Sequence, residues 1–534
     1  MQLRLNNVRV SLLNDAPLNE LAAKKLGIRK QNINKMTILR RAVDARRKNN
    51  ICLVYHLLLE LECDEKKIRH LLQDNNVTLW QAEKIQPVEY GSEQLCERPI
   101  VIGAGPAGLL TAFMLAKHGY RPLLLERGKA VAQRLADVQR FWLTGEFDQE
   151  SNVQFGEGGA GTFSDGKLTT RVNDPVMDDI LRIFVDAGAP EEILSEQKPH
   201  VGTDKLRIMV TGLTKKIREF GGEVRYGQQV IDFLINGETI SGVVLQNNEK
   251  ILSNAVVLAC GHSARDTYAM LAQRKIALEA KPFAIGVRIE HPQELIDQAQ
   301  YGEFAGHPKL GAADYALVYH HKENARTAYS FCMCPGGLVV AAASENGGVV
   351  TNGMSMHKRN SGIANSALVV NVGGSDFGSG PLAGIEFQRQ YERLAFAAGG
   401  NSYKAPAQNV RSFLNNTDPS LQTTFSPTYR PGIVPYDLTK VLPHYVADTL
   451  KAGLLDFDRK IKGFAGEGGL LTGVETRTSA PLRILRADED KQSLSHKGLY
   501  PAGEGAGYAG GIMSAALDGY HVAQAIMKRF KPLS

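Results

Sequence analysis

Pro99-Ile-Val-Ile-Gly103-Ala104-Gly105-Pro106-Ala107-Gly108-Leu-Leu-Thr-Ala-Phe-Met-Leu-Ala-Lys-His-Gly-Tyr-Arg-Pro-Leu-Leu-Leu-Glu126-Arg127 decides the fold. It reads as a buried strand, a glycine turn, a helix, a second buried strand and a terminal acid. Gly103 permits the tight turn after the strand, Gly105 clears the backbone for a pyrophosphate, and Gly108 lets the helix lie close to the sheet. The helix N-terminus around Pro106 and Ala107 offers free N–H groups and a positive dipole end to phosphate. Glu126 lies 18 residues beyond Gly108, where a carboxylate can accept hydrogen bonds from ribose hydroxyls. With Arg127 it closes a dinucleotide-binding unit.

The stretch 498–513, Gly-Leu-Tyr-Pro-Ala-Gly503-Glu504-Gly-Ala-Gly-Tyr-Ala-Gly510-Gly511-Ile512-Met513, is a strand ending in Ala-Gly-acid, then a glycine loop and a helix. Two-dinucleotide-binding-domain flavoproteins close an FAD site in this way. The arrangement predicts that Glu504 hydrogen-bonds the ribitol chain. It also predicts that Gly510, Gly511, Ile512 and Met513 aim amides at the pyrimidine edge of the flavin. Between these ends lies Gly158-Gly159-Ala160-Gly161-Thr162-Phe163-Ser164-Asp165-Gly166-Lys167. Its small residues allow a close backbone approach, its hydroxyls donate, and Lys167 can neutralise phosphate; the competing reading is a plain surface loop. Ala255–Gly261 reads as a buried strand ending at Cys260-Gly261 against the phosphates, and Val230 as a backbone contact to adenine.

The expected architecture is α/β. A small basic α+β domain, ferredoxin-like, occupies 1–85, and a linker occupies 86–98. An FAD-binding doubly wound, Rossmann-like domain comprises 99–275 and 481–534, and an α+β substrate domain is inserted at 276–480. In the first domain, strands are expected over Leu3–Leu12 with a slip near Asn6-Asn7, Ile33–Leu39 and Ile51–Leu61. Helices are expected over Leu18–Leu26 and, capped by Asp64, over Asp64–Leu72. Further on, Asp174–Gly188 and Leu206–Phe220 read as helices, and Glu223–Leu234, Thr239–Leu245 and Ile251–Cys260 each as one strand.

Hydrophobic residues make up 43% of the 534 and charged residues 22%, which suits a globular protein of several domains. No apolar run approaches the roughly 20 residues that span a bilayer. Six cysteines and an N-terminus without a signal-type apolar stretch point to the cytoplasm. Residues 1–70 carry 15 Lys+Arg against 7 Asp+Glu, whereas the whole chain is only +6, so the basic character is N-terminal. Arg40-Arg41-Ala-Val-Asp-Ala-Arg46-Arg47-Lys48 could grip RNA or form a solvated face.

The chain resembles the bacterial family of uncharacterised FAD-dependent dehydrogenases, nearly end to end. The strings that carry the resemblance are Phe155–Leu168, Lys281–Arg288, Ser330–Gly337, Arg430–Val434, Glu475–Arg483 and Gly503–Gly511. It implies an FAD-binding oxidoreductase fold and leaves the substrate open.

Within Glu475–Arg483, Arg477 and Arg483 are candidates to hold a carboxylate substrate by bidentate hydrogen bonds, or else interdomain salt bridges. Cys332-Met-Cys334 invites a redox reading, although a disulfide two residues apart closes a small strained ring and cysteines are often buried hydrophobes. His262, His320 and His321 are candidate acid/base groups. No cluster has metal-ligand spacing, and no G-x-S-x-G elbow occurs. The leading function is FAD-dependent oxidation or reduction of a small molecule. A second complete G-x-G-x-x-G unit is missing, so NAD(P)H as electron donor would bind transiently. The alternatives are an RNA-linked flavoprotein and a flavin-bearing sensor or scaffold without turnover.

Overall fold

The computed structural model describes residues 1–62, 65–81, 88–323 and 325–533. Asp64, the expected helix cap, and part of the expected linker lie outside the described residues.

Five short strands form one parallel sheet in the order Leu499–Pro501, Val256–Leu258, Ile100–Ile102, Leu123–Glu126, Glu223–Tyr226. The strands are apolar throughout because both faces are covered, as parallel sheets require. The helix Pro106–Lys117 buries ten residues between this sheet and its neighbouring helices. The closing helix Ile512–Arg529 packs directly on it. A Cβ at Gly108 would lie 1.9 Å from the Gly103 carbonyl oxygen, and one at Gly519 would lie 2.2 Å from that of Ala107. Those two glycines therefore set how closely the helices approach. This is a Rossmann-like, doubly wound α/β sheet with the chain reversal beside Ile100–Ile102.

The inserted segment builds a seven-stranded sheet around Phe283–Pro292. That strand is flanked by Ile363–Val372 on one side and Leu470–Glu475 on the other, both antiparallel. The helix His444–Lys460 seals one face through Val446, Leu450, Leu454 and Phe457. The first residues form a separate four-stranded antiparallel sheet in the order Ile33–Asp44, Cys52–Leu61, Gln2–Ser11, Val77–Leu79. The register of the first strand slips between Leu5 and Val8, at the Asn6-Asn7 break in its apolar alternation. Arg41 docks this sheet on the rest of the chain. Its N–H donates to the Ser195 carbonyl at 2.6 Å, its carbonyl accepts from Gln197, and its guanidinium meets Glu196 at 3.0 Å.

Two expected strands are each divided between different sheets. Glu223–Leu234 splits into Glu223–Tyr226, in the parallel sheet, and Val230–Asn236, in a three-stranded antiparallel sheet. The break falls at Gly227, where φ is +65°. Ile251–Cys260 likewise becomes Lys250–Leu252 and Val256–Leu258. Between them the Ser253 hydroxyl accepts a hydrogen bond from the Ala255 N–H, a local alternative to ladder pairing. Ile33–Leu39 extends to Asp44. The helix expected over Asp174–Gly188 occupies Met177–Asp186, and the next runs Thr203–Glu219.

Candidate active site

One cavity of about 390 Å³ lies at the carboxyl ends of the parallel strands and reaches across to the inserted sheet. Such a crevice, where strand order reverses, is where open α/β sheets bind ligands. Two helices point their N-termini into it, Pro106–Lys117 with Gly105 at its N-cap and Ile512–Arg529 with Gly511, and neither has a side-chain cap. Their first N–H groups are unsatisfied within the helix, so two positive dipole ends converge on one space.

The long loop 150–167 is held by a residue the sequence reading passed over. Arg134, fully buried, donates to the carbonyls of Asn152, Val153, Gly156, Glu157 and Gly159. Its position four and seven residues before Val138 and Phe141, on an apolar helical face, was the available signal. Glu126 ties the same loop to the first turn. One oxygen accepts from Ala104 N–H at 2.8 Å, and the other from Gly128 and Gly156 N–H at 2.8 and 2.9 Å. Glu126 lines the cavity, but much of its accepting capacity already serves backbone amides. Arg127 is anchored by Glu150 and Asp266, with its guanidinium 4.3 Å from the Phe155 ring centre.

Gly103, Gly105, Pro106, Ala107, Gly159, Ala160, Gly161, Ser164, Asp165, Gly166, Val230, Cys260, Gly261, Gly503, Glu504, Gly510, Gly511 and Ile512 all line the cavity. Ala104, Gly108, Thr162 and Met513 are buried behind that wall. The Thr162 hydroxyl donates to the Glu157 carbonyl and so holds the loop's own shape. Lys167 reaches the wall, yet its ammonium pairs with Asp165 and donates to the Met333 carbonyl. Asp165 also takes Arg359 at 2.6 Å, so one carboxylate is shared by two cations. Arg483 is not part of the cavity wall; it is 40% exposed and sits 3.4 Å from Glu279.

Arg477 lines the cavity, and its guanidinium is committed to Glu392 through bonds of 3.0 and 3.1 Å. Glu392 also takes both terminal nitrogens of Arg265, from the dinucleotide half of the molecule. Burial alone would raise the Glu392 carboxyl; Arg265 and Arg477 hold it well below the usual range. A second buried pair, Arg288 with Glu475 at 3.0 Å on both oxygens, lies beside the same wall. Sequence reading missed Glu392, Glu475 and Arg288 as members of this wall, because each pair joins residues 85 to 187 positions apart.

Burial pushes the Glu504 carboxyl up to about 7, opposed by the Lys281 charge. It pushes the Cys260 thiol up to about 12 and, with Arg477 and Arg265, pulls His262 down to about 3. His262 therefore faces the cavity as neutral imidazole. Its Nδ1 lies 3.8 Å from Glu504, and its buried Nε2 has no partner. His320 and His321 are not among the cavity-lining residues.

The wall fits FAD. A Cβ at Gly261, Gly510 or Gly511 would meet no protein atom within 4 Å, although all three line the cavity. They clear space that protein packing does not need. The fold and site define a dinucleotide-binding protein of the flavoprotein class.

Residues 282–478 match the family described as "FAD-dependent protein, C-terminal domain-like", residues 101–156 an NAD(P)-binding Rossmann-like domain, and residues 2–60 a domain of unknown function. A Clostridium beijerinckii protein, described as an uncharacterized protein, is 47% identical over 532 residues, 99% of each chain. The chain belongs to this family of FAD-dependent proteins, and its cofactor is FAD. Among solved structures, L-proline dehydrogenase from P. horikoshii is similar at 14% identity, over 82% of this chain and 94% of that one, with a TM-score of 0.36. A geranylgeranyl bacteriochlorophyll reductase-like protein from Thermoplasma acidophilum is similar at 13% identity, over 81% and 78%, with a TM-score of 0.34. No helix among the described residues is long and apolar enough to cross a membrane.

Proposed function

We propose that the chain is an FAD-dependent dehydrogenase or reductase acting on a small molecule. The observation that carries this reading is the double-sided cavity. The uncapped helix ends and glycine loops supply one side, and Phe331, Cys332, Asn352, Glu475 and Thr478 of the inserted segment supply the other. A dinucleotide seated on the first side would present its redox ring to the second, where a substrate would lie. When bound, FAD supplies hydride or electron transfer.

The residues of the chain bind, orient and tune. Ala104 to Pro106 and Gly159 to Gly166 would cradle the pyrophosphate, and Glu126 would use its remaining lone pairs on ribose. Glu504 and His262 would meet the ribitol chain, and the N-terminus at Ile512 would face the pyrimidine edge, where its dipole favours an anionic reduced ring. Of the two candidate arginines, Arg477 is the one placed to reach substrate. To clamp a carboxylate it would have to share its charge with Glu392. A nicotinamide is the proposed electron donor, binding transiently.

The test is anaerobic photoreduction of the purified yellow protein, followed by a screen of electron acceptors and small carboxylates. Saturable reoxidation by one compound class is the expected result. Reoxidation that never saturates with any acceptor would leave a flavin carrier and end the enzyme reading.

A further inference from the structure

We propose that Cys332 and Cys334 form a second two-electron centre, a dithiol that closes to an intrachain disulfide by exchange with the flavin. The proposal rests on reading the cavity as the FAD site. The strand Thr327–Cys334 pairs regularly with Ile363–Val372 as far as Phe331 opposite Ala367; Cys334 then pairs with Asn365, so the strand carries one extra residue. That residue distorts the ladder, as β-bulges beside functional sites do. Cys332 adopts φ +44°, a conformation glycine takes freely and cysteine does not.

The distortion is held from both sides by cations. Arg288 donates to the Cys332 carbonyl at 3.2 Å, and Lys167 donates to the Met333 carbonyl. A buried arginine and a half-buried lysine thus hold two successive carbonyls, those of Cys332 and Met333, in the cavity wall. Cys332 and Phe331 line the cavity, while Cys334 is fully buried behind them. The Cys334 thiol donates to the Cys332 carbonyl at 3.3 Å. A flat strand places alternate residues about 6.6 Å apart, near the upper limit for a disulfide. The bulge breaks that flat spacing and turns the Cys334 sulfur onto the Cys332 residue itself.

The protonation states suit exchange. The Cys332 thiol is held below its ordinary value, first by the Cys334 hydrogen bond and then by Arg288 and Lys167, against burial. Cys334 is raised, by the same hydrogen bond and by burial. Cys332 is thus the thiol of the two that gives up its proton more readily, the state from which exchange starts. Thiolate plus thiol plus oxidised FAD gives a disulfide plus the reduced flavin anion. One S–S bond forms, one S–H bond breaks, and the proton passes to the flavin with two electrons. The reverse reaction reopens the bond, and no other reactant is needed. A strained small ring is the kind of disulfide that opens readily.

The experiment uses the full-length holoprotein, oxidised with diamide, freed of reagent and titrated anaerobically with dithionite. Wild type should take up about four electrons per flavin, and Cys332→Ser and Cys334→Ser about two, at equal flavin per chain. Alkylation followed by mass spectrometry supplies a readout independent of the titration and of folding in the variants. After diamide, the wild-type peptide spanning both cysteines should lose two alkylation sites and two hydrogens in mass, and should regain them on photoreduction of the flavin. A yellow wild type that takes about two electrons, with both thiols still alkylated after diamide, would overturn the dithiol while leaving the FAD reading intact. A colourless protein that cannot be reconstituted with FAD would overturn both.

Discussion

The two sides of the cavity are built by opposite means. The side formed by the parallel sheet is largely backbone: glycines, uncapped helix ends, amides gathered by Glu126 and carbonyls gathered by Arg134. The side formed by the inserted sheet is largely side chain, and its charges are neutralised in pairs, Arg288 with Glu475 and Arg477 with Glu392. The first wall recognises a ligand whose shape and charge are fixed, so it needs only space and dipoles. The second must present particular groups within a low-dielectric interior, and each charge there needs a partner to remain charged.

The comparison breaks most easily on the backbone side. Gly105 has φ −78°, a region open to any residue, and a Cβ there would come no closer than 4.0 Å to protein, at Gly159. Valine at this position should therefore fold and collide only with bound dinucleotide. The combination Gly105→Val with Glu126→Ala should lower flavin per purified chain by at least about tenfold, the equivalent of roughly 1.4 kcal/mol of lost affinity. Visible absorbance per chain measures it. A double variant as yellow as wild type would show that the adenosine half lies elsewhere.

On the side-chain wall the expected loss is in stability. Glu392→Gln keeps the shape but leaves Arg265 and Arg477 sharing a neutral acceptor, where five donors now converge on one carboxylate. Stripping the charge from such a buried cluster costs about 3 kcal/mol. The denaturant midpoint should fall at unchanged slope, whereas the flavin spectrum of the folded fraction should not change. Equal midpoints for variant and wild type would mean that the cluster is not what holds the two halves together.

The same contrast explains what could be read in the chain. The glycine turn, its helix and the acid at Glu126 follow one another within 28 residues, so a local spacing rule reveals them. The strand-loop-helix at Gly498–Met513 is equally local. Local reading also failed in characteristic ways. It ran Glu223–Leu234 together because apolar residues continue across Gly227, although the chain there changes sheets. It did not find the ion pairs that Lys167 and Arg477 make, because nothing nearby in sequence announces Asp165's other partner Arg359 or Arg477's partner Glu392. Arg134 was the recoverable omission, since a lone arginine on an apolar helical face is itself a signal. Partners brought together only by the fold leave no such trace.

A contrast that shows only as a pH dependence separates paired from unpaired carboxylates on the inserted sheet. Glu475 and Glu392 each face an arginine. Glu290, fully buried in the adjoining strand, meets only Thr428, whose N–H and hydroxyl reach one oxygen while the other has no partner. Burial therefore pushes Glu290 up to about 7. Because the folded value lies above the unfolded one of about 4.5, its contribution is complete at low pH and is lost as pH rises between about 4.5 and 7. The loss is at most about 3 kcal/mol for a shift of this size. Groups held low by arginine, such as Glu345 and Glu392, behave in the opposite sense: their contribution is present above about 4.5 and is lost only as pH falls below it. Wild type should thus lose stability between pH 5 and 8 relative to Glu290→Gln, whose side chain does not titrate. Thermal unfolding of both proteins across that range measures the difference. Parallel curves would mean that Glu290 is charged in the folded protein and that a hydroxyl and an amide suffice where its neighbours use arginine.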